Sequence, residues 1–175
     1  MESNLVRLRA VEPSDIEWIY RWENDPTIWA VSGTLVPFSR HTLSRLLDEQ
    51  QFDLLQTRQQ RLMIESRERG EPIGALDLFE LDMIHRRMGV GILIAEAEDR
   101  RRGYAADAVQ LICRYAKEVL GLHQVWCNVA ADNEASLALF ARCGFAEAGR
   151  KRDWLREGDG WKDEIMMQIL FFQLH

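Results

Sequence analysis

The sequence predicts a mixed α/β (α+β) fold in which helices flank one central sheet. Three strand patterns follow one another between residues 61 and 95, and an amphipathic helix pattern follows the third of them directly. No Gly-x-Gly-x-x-Gly motif occurs, and the Gly-containing turn before that helix comes only after these three strands, which excludes a doubly wound dinucleotide-binding fold. We therefore expect the element order β-α-α-β-β-β-α-β-α-β-β.

The first third of the chain predicts one strand and two helices. The alternation of apolar residues in Leu5–Val11 indicates the strand. Ser14 and Glu17 have the spacing of a capping box and mark the start of the first helix, which ends before Pro26 because the residue before a proline disfavours helical backbone. The second helix pattern has its apolar positions at Leu43, Leu46, Leu47 and Phe52.

A hairpin is predicted next, with strands at Arg61–Arg67 and Pro72–Asp82 around a turn that contains Gly70. Side chains alternate between the two faces of a strand, so Asp77 and Glu80 are expected on opposite faces. The residues expected to share the face of Asp77 are Ala75, Phe79 and Leu81. Each face therefore carries an acid among apolar neighbours.

The remaining predicted elements are a central strand, a long amphipathic helix that Gly121 ends, a further strand, a short helix and a final hairpin. The central strand is expected at Met88–Ala95, the further strand at His123–Val129 and the short helix between Asn133 and Gly144. The final hairpin is expected at Phe145–Trp154 and Trp161–Phe172.

The passage from the central strand to the long helix has the character of an anion-binding turn. The apolar run that ends at Ala95 is followed by Arg100, Arg101 and Arg102, then by Gly103 and the helix. The first N–H groups of a helix are unpaired and attract negative charge, and a glycine lets the backbone approach a phosphate closely. The alternative is that the arginines are a solvated surface run and Gly103 is an ordinary turn glycine.

Two motifs connect this turn to a known family. Arg100-x-x-Gly103-x-Ala105 is followed by Asn133-x-x-Ser136-x-x-x-Phe140-x-x-x-Gly144-Phe145. Together they resemble the GCN5-related N-acetyltransferase (GNAT) family, and the resemblance runs over nearly the whole chain. Through Arg21-Trp22-Glu23-Asn24-Asp25-Pro26 and His85-Arg86-Arg87 it is similar to the branch of ribosomal-protein N-terminal and spermidine or diamine N-acetyltransferases.

The resemblance implies acetyl-CoA as co-substrate and no metal. It implies that the loop amides of Arg101–Ala106 bind the pyrophosphate and that Leu93–Ala95 pairs with the pantetheine arm, with amides near Ile94 donating to the thioester carbonyl. Asn133 resembles a residue that contacts the coenzyme arm, and a helix N-cap is an equally natural role for it. The full set of expected coenzyme residues is Leu93, Ile94, Ala95, Arg100, Arg101, Arg102, Gly103, Tyr104, Ala105, Ala106, Asn133, Ser136 and Phe140.

Acetyl transfer to an amine also requires a group that accepts the amine proton, because an aliphatic amine titrates at about 10.4. Asp77 and Glu80 lie on the strand beside the central one and are the candidate catalytic residues. The alternative is that they form ordinary salt bridges with Arg61, Arg86 or Arg87.

Two departures from the family pattern favour a different hypothesis, a catalytically weak acyl-CoA-binding module. Relatives in the diamine branch commonly place a tyrosine acid where this chain has Phe140, and many carry an acid where it has Gly89. Tyr104, Ser136 or water would then have to supply the proton to the thiolate.

Charge and length bound the partners of the chain. The net charge of −6 disfavours nucleic acid and is compatible with a cationic substrate. We expect a polyamine or another small cationic amine first, a protein N-terminus next and an aminoglycoside third. The length of 175 residues suits one domain over residues 1–175, and relatives often form homodimers or larger rings.

Localisation follows from what the sequence lacks. No apolar run approaches the ~20 residues that span a bilayer. The first residues lack the apolar core of a signal peptide, and three cysteines indicate neither a disulfide framework nor a zinc site. We therefore expect a cytoplasmic protein without membrane contact.

Overall fold

The computed structural model describes residues 1–32, 34, 36–49 and 54–171, without the side chains of residues 30–32 and 49. Within these ranges the sheet consists of β1 (Val6–Ala10), β2 (Gln60–Ser66), β3 (Pro72–Asp82), β4 (Arg87–Ile94), β5 (Gln124–Ala130), β6 (Ala146–Glu157) and β7 (Gly160–Leu170). The helices are α1 (Ile16–Glu23), α2 (Pro26–Ser32), α3 (Arg40–Glu49), α4 (Leu54–Thr57), α5 (Tyr104–Glu118) and α6 (Glu134–Arg142).

The strands form one mixed sheet in the order β1-β2-β3-β4-β5-β7-β6. Neighbouring strands are antiparallel except β4 and β5, which are parallel and are connected through α5. This arrangement confirms the predicted α/β fold and its order, to which the structure adds two short helices, α2 and α4. Two predicted positions, Phe52 and Phe172, lie outside the described residues.

The start of the first helix differs from the prediction. A 3-10 turn over Pro13–Asp15 precedes α1, and the Asp15 carboxylate accepts the backbone N–H of Glu12 at 2.8 Å. The capping box predicted at Ser14 and Glu17 is therefore wrong. The capping box present is that of the 3-10 turn, between Glu12 and Asp15. Arg9 on β1 holds Asp15 in a buried position with an Nη1–Oδ2 distance of 2.7 Å.

Each face of the sheet is covered by its own apolar cluster. The larger cluster packs α5 against residues such as Leu76, Leu78 and Val90. The smaller cluster packs the N-terminal helices, through Trp22 and Leu43 among others, against the opposite face. The sheet residues in the smaller cluster are Met63, Ala75 and Leu93. Burial of these surfaces holds the helices onto the sheet.

A β-bulge interrupts the alternation in β3. The register between β3 and β4 shifts between Phe79 and Asp82, and Glu80 has a φ of 49°. The bulge turns Leu81, which is 3% exposed, into the larger core with Leu76 and Leu78. The prediction that Leu81 shares the face of Asp77 is therefore wrong, because the extra residue of the bulge moves the side chains after it to the other face.

Candidate active site

Strands β4 and β5 separate to form a fork. They pair at three rungs, from Arg87↔Gln124 to Gly89↔Trp126, whereas β4 remains paired with β3 as far as Ile94. Val90–Ile94 therefore has no strand partner on its β5 side within the described chain. At ~3.3 Å per residue these five residues present about 17 Å of free backbone edge, which can pair with an extended ligand.

The open end of the fork meets the start of α5. Gly103 is the N-cap residue with a φ of 88°, and no side chain of the described residues caps this helix. The first intrahelical bond joins the N–H of Asp107 to the carbonyl of Gly103, which leaves the N–H groups of Tyr104–Ala106 without a partner in the helix. The end of the fork therefore carries a helix start of the kind that can bind an anion.

The start of α6 lies beyond β5 and differs from that of α5. Here the Asn133 side chain accepts the backbone N–H of Ser136 at 3.1 Å. This confirms the N-cap role that the sequence left open for Asn133. A bound anion would have to compete with the Asn133 side chain for the N–H groups at the start of α6. At the start of α5 no side chain of the described residues competes for these groups.

The loop between β4 and α5 is held by hydrogen bonds at its start and in its middle. The Arg100 guanidinium donates to the carbonyl oxygens of Ala95 at 3.0 Å and Ile94 at 3.3 Å. Asp99 is 2% exposed, and both of its oxygens accept Nη2 of Arg69 at 2.8 Å. All three arginines of the run are exposed, but the Arg100 guanidinium is taken up by the two carbonyls, which leaves Arg101 and Arg102 to face a bound anion. Arg102 also lies 3.9 Å from Asp99.

The structure brings most of the predicted coenzyme residues together. Leu93–Ala95 ends the free edge of β4, and Arg101–Ala106 forms the loop and the first turn of α5 beside it. The side chains of Tyr104 and Phe140 are exceptions. They are 5% and 3% exposed and belong to the larger apolar cluster, so they offer little surface to a ligand. The Phe140 ring packs on Phe145 with a centroid distance of 5.1 Å.

The face of the sheet below α1 carries the candidate acid Asp77. Arg61 binds it through Nε–Oδ1 at 2.7 Å and Nη2–Oδ2 at 2.9 Å, and reaches Glu23 through Nη1 at 2.5 Å. Burial alone would lower the pKa of Arg61, but hydrogen bonds and charge from Asp77 and Glu23 raise it, so the guanidinium stays charged. The salt bridge to Arg61 that the sequence offered as an alternative for Asp77 is therefore present.

The second candidate acid, Glu80, does not join this cluster. It lies exposed at the bulge of β3. Neither of the other two arginines considered for these acids binds them: Arg87 pairs with Asp82 at 3.5 Å and Arg86 donates to the Gly121 carbonyl. Two carboxylates and one guanidinium leave the Glu23–Arg61–Asp77 cluster with net negative charge.

An aromatic pair occupies the place where the sequence lacks an acid. A Cβ at Gly89 would lie 2.3 Å from Cε2 of Phe79, so the ring lies directly against this glycine. The same ring meets Trp126 edge to face, with a centroid distance of 5.2 Å and an interplanar angle of 89°. At Gly91 the nearest atom to such a Cβ is 3.8 Å away, which leaves the floor of the site open there.

Sequence reasoning missed the supporting residues of this site. Arg69 and Asp99 anchor the loop, Glu23 is a second acid on the Arg61 that binds Asp77, and Phe79 and Trp126 flank the closed end of the fork. The Arg61–Asp77 pair itself is an alternative that the sequence offers, and the register of the hairpin sets these two residues opposite each other. No comparable signal marks Asp99, which reads as part of an exposed acidic turn.

The cysteines take no part in the site as nucleophiles. Burial raises the pKa of the Cys113 and Cys127 thiols to about 12, and it also raises the pKa of Cys143. Thiols in such surroundings stay protonated and unreactive near neutrality. In the described part of the chain no three potential ligands are grouped to hold a metal ion, and no helix is long and apolar enough to cross a bilayer.

Two curated relatives resemble this chain. The spermidine N(1)-acetyltransferase of Vibrio cholerae serotype O1 is 29% identical over 170 residues, which cover 97% of this chain and 95% of that protein. The putative ribosomal N-acetyltransferase of Bacillus subtilis is 33% identical over 101 residues, which cover 58% of this chain and 55% of that protein.

Solved structures show the same fold. The spermidine N-acetyltransferase from Vibrio cholerae in complex with CoA and spermine superposes with a TM-score of 0.85 at 25% identity and covers 96% of each chain. A spermidine/spermine N-acetyltransferase from the same organism, at 25% identity and a TM-score of 0.77, was solved in complex with manganese ions. The expectation that this chain needs no metal therefore stays a prediction.

The family model described as an acetyltransferase (GNAT) domain matches residues 6–146, which is most of the chain. This match agrees with the forked sheet and with the uncapped start of α5 at its open end. The chain belongs to the GNAT family of N-acetyltransferases.

Proposed function

We propose that this enzyme transfers the acetyl group of acetyl-CoA to a primary amine of a polyamine. The observation that carries the proposal is the fork between β4 and β5, which opens onto the uncapped start of α5. A long coenzyme with an extended arm and a pyrophosphate fits this combination of free strand edge and anion site. The polyamine is supported by the names of the relatives, by CoA and spermine in one of them, and by the net charge of −6.

The coenzyme would lie along the free edge of β4. In this proposal the amides of Arg101–Ala106 bind the pyrophosphate, Arg102 adds positive charge, and Leu93–Ala95 begins the pairing with the pantetheine arm. The arm then runs toward Gly89, where the strands close. The thioester is thereby presented on the open floor at Gly91, beside Asp77.

The reaction is direct transfer within a ternary complex. The amine nitrogen forms the new bond to the acetyl carbon, the carbon–sulfur bond breaks, and the amine proton leaves to water or to a carboxylate. Asp77 is the better placed candidate, because it shares the open face with Gly91 whereas Glu80 is exposed at the bulge. Its salt bridge to Arg61 holds the carboxylate beside the open floor, where it can attract the ammonium.

The departing thiolate receives no proton from Phe140, which has none to give. A thiol with a pKa of about 8.5 is a tolerable leaving group near neutrality. General acids raise reaction rates roughly 10²–10⁴-fold, and we expect the missing acid to lower the rate by only a small part of that factor. The lack of an acid at position 89 has a different reason, because the Phe79 ring fills the space that an acidic side chain there would need. Neither departure therefore requires an inactive protein.

The experiment is release of the CoA thiol from acetyl-CoA across spermidine, spermine, N-terminal peptides and aminoglycosides, with a control that lacks an acceptor. We expect saturable release with the polyamines and a singly acetylated product by mass spectrometry. Release with peptides alone would move the assignment to a protein N-terminus. Tight acetyl-CoA binding without release from any acceptor would favour the binding module.

Two variants test the acids in the same assay. Asp77→Asn removes the acid on the open face and Glu80→Gln removes the exposed one at the bulge. We expect Asp77→Asn to lower kcat/KM for the polyamine by about tenfold or more, since hydrogen bonds to charged groups contribute roughly 1.5–3 kcal/mol. Glu80→Gln should stay close to the unaltered enzyme, and the reverse order would assign the role to Glu80.

We also propose that the enzyme is cytoplasmic and forms a homo-oligomer. Three free cysteines are typical of a reducing compartment. Trp154 and Trp161 on the final hairpin are 57% and 61% exposed, which leaves two large rings for contact with a second copy.

A further inference from the structure

We infer that Phe79 and Trp126 form a cation-binding subsite, which receives the ammonium of the acceptor at the closed end of the fork. This inference rests on the proposed function and gives the acceptor site a recognition element other than a carboxylate. It is carried by the position of the two rings, by their exposure and by the charges around them.

The two rings stand at the last rung of the fork. Trp126 on β5 pairs with Gly89 on β4, and Phe79 on β3 pairs with the same glycine from the other side. Residues at directly opposed positions share a face of the sheet, so both rings lie on the face of Asp77 and Gly91. The Phe79 ring also comes within 3.8 Å of a Cβ built at Gly91, so the pair borders the place proposed for the thioester.

Core packing does not account for the pair. Neither ring belongs to the two apolar clusters of the described residues, and both side chains are only half-buried. The rings instead pack on each other, with Phe79 against Gly89. Their remaining surface faces the candidate acceptor site.

The chain places its own cations on other rings. Arg21 lies 4.6 Å from the centroid of Trp18, Arg40 lies 3.9 Å from that of Tyr20, and Lys151 lies 5.1 Å from that of Trp154. Among the described residues no such cation covers Phe79 or Trp126. Their π surface is thus open to a cation from outside, beside a cluster with net negative charge.

An aromatic subsite also suits the chemistry of the amine. The acceptor arrives as an ammonium and must lose a proton before it attacks. A carboxylate in direct contact would raise the pKa of that ammonium and oppose the loss, and here Asp77 is already engaged by Arg61. A ring face attracts the cation more weakly, so the ammonium can be held and still released.

The first test changes the rings. We expect Trp126→Leu and Phe79→Leu each to raise KM for spermidine by about tenfold, while KM for acetyl-CoA stays the same. Trp126→Phe keeps an aromatic face, so its KM for spermidine should lie well below that of Trp126→Leu. Val119→Ala removes an exposed apolar side chain at the end of α5, outside the site, and is the control. Unchanged spermidine KM in both leucine variants would overturn the inference.

The second test separates charge from shape and does not need turnover. Choline and 3,3-dimethylbutan-1-ol have the same shape, but only choline is a cation, and their binding can be followed by ligand-observed NMR. We expect choline to bind more tightly than the neutral alcohol, and Trp126→Leu to remove this difference. Equal binding of both probes to the unaltered enzyme, or loss of binding of both in Trp126→Leu, would show that the rings provide only apolar contact and would overturn the inference.

The two arms distinguish the possible failures. If no polyamine releases thiol but the unaltered enzyme prefers choline to the alcohol, the proposed acceptor is wrong and the cation subsite stands. If polyamines are acetylated but the choline preference is absent, the proposed function stands and the subsite is wrong.

Discussion

At the scale of single residues, Gly89 shows how one position shapes the acceptor face. A Cβ there would meet three ring atoms of Phe79 at 2.3–2.7 Å, so the aromatic pair depends on the glycine. Gly91, two residues further along the same strand, leaves ordinary space around such a Cβ. These neighbouring glycines have different roles, one to receive a ring and the other to keep the floor open.

We expect Gly89→Ala to lower the free energy of unfolding by about 1–3 kcal/mol, because the Phe79 ring must move away from the added methyl group. Gly91→Ala is the matched control. Its added methyl group meets its nearest neighbour at 3.8 Å, so its stability should be unchanged or slightly higher. Urea denaturation measures both. Equal stability of the two variants would show that Phe79 is not fixed against Gly89.

Residue identities in the site were predictable only in part. Asp77 is predictable, because an acid on the strand next to the central one is conspicuous. The contact between Arg61 and Glu23 is not, because Glu23 lies 38 positions before Arg61 and only the packing of α1 on the sheet brings them together. The face of Leu81 is not predictable either, because an alternating pattern does not reveal a bulge.

At the scale of elements, the turn between β4 and α5 is the part of the site that the sequence describes best. An apolar run typical of a buried strand is followed by Gly103 and then by apolar residues at helical spacing. This sequence pattern predicts the strand, the helix and the anion site between them. The fastening of the loop was not predictable, because the burial of Asp99 depends on Arg69 from the turn between β2 and β3. Likewise, the capping box lies at Glu12 and Asp15 of the 3-10 turn rather than at Ser14 and Glu17, and the Asp15 carboxylate is bound there by Arg9 from β1.

We expect Gly103→Asp to weaken acetyl-CoA binding by at least about tenfold, measured by calorimetry. A carboxylate there repels the phosphates, and a φ of 88° strains any residue other than glycine. Gly70→Asp is the matched control, because Gly70 also has a positive φ, 67°, but lies in the turn between β2 and β3. Equal acetyl-CoA affinity in the two variants would contradict an anion site at the start of α5.

At the scale of the whole molecule, the order of elements followed from local patterns, but the fork did not. The patterns at Met88–Ala95 and His123–Val129 predict strands of similar length, whereas the two strands pair over only three rungs. Pairing between β4 and β5 is not local, since α5 lies between them in the chain. Where the strands separate is decided by the packing of both helices and the final hairpin, which no single stretch of sequence contains.

The central claim is that the coenzyme arm lies along the free edge of β4 and its pyrophosphate at the start of α5. Amide hydrogen exchange with and without CoA tests it most directly. We expect CoA to slow exchange at the β5-facing amides of Val90–Ile94, which have no strand partner there within the described chain, and at those of Tyr104–Ala106, which have no partner in the helix. Unchanged exchange in both segments at saturating CoA, with slowing elsewhere, would contradict the account.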